Sequence, residues 1–70
     1  MLPLTLAEIG EEHMIKKIGG SPEVKQHLAD LGFVVGGDAT VVASVNDNVI
    51  VRVKETRVGL DKSLAQKIFV

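Results

Sequence analysis

The chain has 70 residues, a net charge of −1, no cysteine, tryptophan or tyrosine, and two phenylalanines. This excludes a disulfide framework and a cysteine-based metal site, and it argues against a dedicated nucleic-acid binder. No stretch approaches the ~20 apolar residues of a membrane span, so one small domain over residues 1–70 is expected, with a core of Val, Ile, Leu and Ala.

The opening Met1-Leu2-Pro3-Leu4 carries no basic stretch and no long apolar run, so no secretory signal is expected. Leu4, Leu6 and Ile9 before Gly10 read as a short opening strand or turn. Glu11 to Ile18 is the first strand candidate. Ile15 and Ile18 break strict alternation, which predicts a bulge or a strand end near Lys16-Lys17.

Gly19-Gly20 leads into a helix predicted from Pro22 to Leu31. Ser21 suits the N-cap and Pro22 the first helical position. Val24, Leu28 and Leu31 recur at i, i+4 and i+7, which makes one apolar stripe. Gly32 supplies the left-handed residue that closes the helix and places Phe33 to pack back on Leu28.

After Gly36-Gly37-Asp38 the period switches to alternation. Val41, Ala43 and Val45 are expected to share one side of a strand from Ala39 to Val45. Asn46-Asp47-Asn48 is a compact turn. Val49, Val51 and Val53 then form the apolar face of a returning strand, against Ile50, Arg52 and Lys54. A tight turn at Glu55-Thr56 is predicted, followed by a strand through Arg57 to Leu60. Asp61 caps a single helical turn around Ser63, and Lys67 to Val70 closes the chain as a strand.

Five to six short strands and one helix cannot fill two large sheets in so few residues. A small bent barrel removes most free edges. The predicted fold is therefore mainly β, an SH3-like barrel lidded by a helix that buries Val24, Leu28 and Leu31.

The order of these features resembles the FeoA family over nearly the whole chain, from Leu4 to Val70. The shared pattern runs from Leu6 and Gly10 through Ile15 and Ile18 to the helix end Leu28, Leu31, Gly32 and Phe33. It continues with Gly36, Val41, Ile50, Arg52, Val53, Leu60, Ala65 and Ile68. Three positions depart from it. Val35 stands where the family usually has Pro, Asn46-Asp47-Asn48 is shorter than the usual hairpin loop, and Glu55-Thr56 replaces a turn that commonly holds Gly.

The resemblance implies an SH3-like accessory protein of a bacterial cytoplasm that docks on the cytosolic part of the FeoB transporter and modulates ferrous-iron uptake. It also implies an alternative, a regulatory domain acting with an iron-dependent repressor. A stable homodimer through an open barrel edge is a third alternative.

The resemblance raises a transition metal, iron above all, as a ligand. Glu23, His27 and Asp30 share one helix face, and imidazole with carboxylates suits such an ion. The same three residues also suit a solvated face, with Glu23 favoured by the helix dipole. Catalysis is not expected, because Ser21, Ser44 and Ser63 have no arranged base and the Gly pairs lack the residues of a phosphate loop. Lys16, Lys17, Arg52, Lys54 and Arg57 make a basic set without aromatic platforms, so no nucleic-acid partner is expected. The expected partner surface is the loop Phe33, Val34, Val35 and Gly36, together with the exposed helix face. Either one of the two valines stays outside the core, or both pack beneath the helix.

Overall fold

Helix α1 spans Pro22–Asp30 and begins as its sequence requires. The Val24 backbone N–H donates to Ser21 Oγ at 3.2 Å, and Pro22 holds a position that needs no donor. At the other end Gly32 takes φ +107°, and Phe33 N–H donates to the Leu28 carbonyl at 2.9 Å. This closure satisfies a terminal carbonyl and drives Phe33 into the core, where it is fully buried with Leu28. Val24 and Leu31 are half-buried and pack on the same cluster.

The computed structural model describes the whole chain, Met1–Val70. Around α1 lie β1 (Glu12–Met14), β2 (Lys17–Ile18), β3 (Asp38–Val45), β4 (Asn48–Val53), β5 (Thr56–Asp61), the short helix α2 (Lys62–Ala65) and β6 (Ile68–Phe69). A four-stranded antiparallel sheet has the order β1-β3-β4-β5, and β2 pairs with β6 in a second, two-stranded sheet. The roll is thus two sheets wrapped on one core, not a single ladder closed on itself. Leu4, Ile15, Leu28, Phe33, Val51 and Ile68 fill its centre.

Local structure decides or corrects several expectations. Of the strand or turn expected at the opening, a 3-10 turn forms over Leu4–Leu6, with Leu4 buried but Leu6 and Ile9 exposed. Of the bulge or strand end expected near Lys16-Lys17, a strand end forms and separates β1 from β2. Ile15 N–H bonds the Gly37 carbonyl at 2.7 Å, and the next residue, Lys16, bonds Phe69 at 2.8 Å. Ile15 ends its contact with one sheet as Lys16 enters the other, which accounts for the broken alternation.

In β3 the expected common face of Val41, Ala43 and Val45 does not form. The register shifts between Val41 and Ala43, so Val41 lies opposite Val51 on the core side while Ala43 lies opposite Ile50. Val45 follows Ala43 to the outer face and is 54% exposed.

The β4 alternation holds, with Val49, Val51 and Val53 buried. The turn after it sits one residue earlier than predicted, at Lys54-Glu55 with Lys54 at φ +56°, and Thr56 already belongs to β5. Asp61 caps α2 as expected, accepting from Leu64 N–H at 2.8 Å and Ser63 Oγ at 2.7 Å.

Candidate docking surface

The loop from Phe33 to Gly37 is anchored at both ends. Gly36 N–H donates to the Ile15 carbonyl at 2.8 Å, and Ile15 N–H returns a bond to Gly37. Inside that frame Gly37 N–H donates to the Val34 carbonyl at 3.0 Å, and Gly36 takes φ +90°. An i to i+3 bond with positive φ at the third residue is a type II turn, with Val35 at its second position. A Cβ on Gly37 would meet the Val34 carbonyl oxygen at 3.2 Å, a tight approach that any larger residue there relieves only if the turn gives by a few tenths of an ångström.

The consequence is a fixed apolar knuckle. Val34 is 42% and Val35 63% exposed, so both valines stay out of the core. Phe33, expected on the same surface, is wholly beneath it because the helix closure turns it inward. It supports the knuckle and cannot touch a partner. Met14, paired with Asp38 just after the turn, adds exposed apolar surface on the same side of the sheet.

Beside the knuckle lies a cleft of about 200 Å³, lined by Gly32, Gly37, Glu12, Asp38, Thr40, Arg52, Val53 and Lys54. Register explains the polar lining: Glu12 lies opposite Thr40 and Thr40 opposite Arg52 on the outer face of three adjacent strands. Carboxylates occupy the β1–β3 flank and cations the β4 flank, yet no ion pair joins them. No Lys or Arg side-chain nitrogen lies within 4 Å of a carboxylate; a His13 Nε2 to Glu11 Oε2 approach at 3.7 Å is the one near contact of this kind. Thr40 is 5% exposed, and its hydroxyl takes part in none of the side-chain hydrogen bonds. This cleft is smaller than the roughly 300 Å³ at which small-molecule sites begin. Sequence reading missed it because its residues come from separate strands. The one available signal was the outward position of Arg52 and Lys54 in the β4 alternation.

Glu23, His27 and Asp30 are exposed on α1, and Asp30 Oδ1 accepts from Gln26 Nε2 at 2.8 Å. No three His, Asp or Glu side chains converge in a group able to hold a metal ion. Glu23, His27 and Asp30 do not form such a group. The basic residues divide between the two sheets; Phe33 is buried, and half-buried Phe69 has Lys17 Nζ 5.8 Å from its ring centroid. No helix is long and apolar enough to cross a membrane.

The family model described as the FeoA domain matches residues 2–70. The chain belongs to the FeoA family. It is 34% identical over 70 residues to a Methanocaldococcus jannaschii protein provisionally named Fe(2+) transport protein A, covering 100% of this chain and 85% of that protein. An iron uptake regulatory protein (FeoA) superposes with a TM-score of 0.87 at 25% identity, over 96% of this chain and 89% of that one. A zinc-complexed FeoA from Stenotrophomonas maltophilia, described as a prokaryotic SH3 domain protein, gives 0.84 at 21% identity over 99% and 88% of the two chains. A manganese-dependent transcriptional repressor gives 0.85 at 20% identity, over 94% of this chain and 38% of the repressor. These last two establish the fold, which is SH3-like. The predicted FeoA resemblance and the predicted fold class are both correct. The two-sheet roll is how this FeoA chain builds the SH3-like fold.

Proposed function

We propose that this single FeoA domain is a non-enzymatic accessory of ferrous-iron transport, docking in the cytoplasm on the cytosolic part of a FeoB-like membrane transporter. The knuckle carries the reading: two exposed valines on a turn whose backbone is fixed at both ends lose little freedom on binding. The adjacent cleft supplies separated charges that orient a partner without contributing much affinity. Such a module acts by favouring one conformation of the transporter through differential binding.

Family membership and the relative named for Fe(2+) transport support the choice of partner. The reading is tested by capture of the purified cytosolic part of the transporter on immobilised protein. Wild type is expected to retain it, and Val35→Asp to lose at least about tenfold in affinity, because a buried unpaired carboxylate is costly. Equal retention by both proteins would refute docking through this turn.

A further inference from the structure

The sheet ends in β5, whose outward side pairs with no strand of the chain. Thr56 follows a two-residue turn, so Val53 and Thr56 form a hydrogen-bonded pair, and the alternation continues at Val51–Val58 and Val49–Leu60. Arg57, Gly59 and Asp61 therefore direct their backbone N–H and C=O groups away from β4. All three are exposed. The short helix that follows contacts β5 itself as well as β4 and the opening turn, while Arg57, Gly59 and Asp61 stay exposed.

We propose that β5 pairs antiparallel with β5 of a second copy, about a two-fold axis through Gly59. This register matches all three outward residues: Gly59 faces Gly59, and Arg57 faces Asp61 of the second copy in both directions. Shifting by two residues in either direction matches only two of the three outward residues and removes the charge pairing. Shifting by four sets Arg57 against Arg57, or Asp61 against Asp61. The charges favour the symmetric choice for a second reason. Within one chain Arg57 has no carboxylate partner and lies directly opposite Arg52, a like-charge pair. The second copy's Asp61 supplies the missing anion through the carboxylate oxygen that its helix cap leaves unused. On the core side, half-buried Val58 lies in register with the second copy's Leu60, whose own side chain stays in its core. The dimer sheet is continuous, and its two knuckles lie beyond the β1 edges at the far ends.

Backbone hydrogen exchange, measured by NMR at two protein concentrations, tests this directly. In the monomer the Val58 and Leu60 amides are protected and those of Arg57, Gly59 and Asp61 exchange freely. At concentrations up to about 1 mM, a range that registers even millimolar dissociation constants, the outward amides of Arg57, Gly59 and Asp61 are expected to slow while sedimentation shows the dimer mass. Arg57→Glu is expected to weaken association about tenfold, because the symmetric interface loses two opposite-charge pairs at once. Gly59→Pro removes an N–H that the monomer does not use, and is expected to abolish dimerisation. Where Gly59→Pro fails to fold, Arg57→Glu alone decides. A monomer mass over the whole range would overturn the proposal, as would a dimer whose outward β5 amides exchange freely or which Arg57→Glu leaves intact.

Discussion

At the scale of single residues, two side chains carry more than their size suggests. Phe33 joins the helix closure to the barrel centre and is fully buried. Truncating it to Ala is expected to cost about 3–5 kcal/mol. A chain of this length has only about 0.05–0.15 kcal/mol of stability per residue, so the urea midpoint should fall by about a third or more. Asp61 shows the opposite economy, being exposed yet structural. The Ser63 hydroxyl first, and the Leu64 backbone N–H second, hold its carboxyl below the ordinary carboxylate range. A depressed folded-state value means that the stabilisation is complete at neutral pH and is lost as acid protonates the group. Wild type should therefore lose stability on acidification below about pH 5. Asp61→Asn, which keeps a cap but cannot titrate, should flatten that part of a circular-dichroism pH titration. Identical acid profiles would remove Asp61 from the account.

Among the elements, the turn between α1 and β3 offers the sharpest test. Val35 sits where a type II turn favours Pro, and its backbone N–H makes no hydrogen bond within the chain. Val35→Pro should thus stabilise the fold by about 0.4–1 kcal/mol, by restricting the unfolded chain. Destabilisation on thermal unfolding would mean that Val35 does not hold the φ assigned to it. This turn, α1 and the β3–β4 hairpin were legible in the sequence because their causes are local. Ser21, Pro22 and Gly32 mark the helix ends, and the Val49–Val51–Val53 alternation marks a half-buried strand. The broken alternation in Glu11–Ile18 marked where a strand could end, but not that the next one joins a second sheet, because that depends on Phe69 bonding Lys16 from the far end of the chain. The shift after Val41 was not legible either, since a run of small apolar residues alternates equally well in either register. The candidate site divides the same way. The loop that holds the candidate surface could be placed in order, but the exposure of both valines could not, and the cleft needs Glu12, Thr40 and Arg52 to be neighbours across strands.

For the whole molecule, the arrangement of edges decides how the two proposed surfaces relate. β1, with the knuckle behind it, closes one side of the four-stranded sheet, and β5 closes the other. Neither surface uses a residue of the other, and the buried sheet between them is rigid. The two binding events should therefore be separable by mutation. Val35→Asp is expected to lose transporter capture while keeping the concentration-dependent dimer mass, and Arg57→Glu to do the reverse. Where both surfaces work, a dimer presents two knuckles to two transporter domains, and avidity follows from the geometry rather than from any new contact. Capture on a dense layer of the transporter's cytosolic part should then weaken for Arg57→Glu, while capture on a sparse layer should not. Equal loss on both layers would mean that β5 contacts the transporter directly, and the division of labour between the two edges would be wrong.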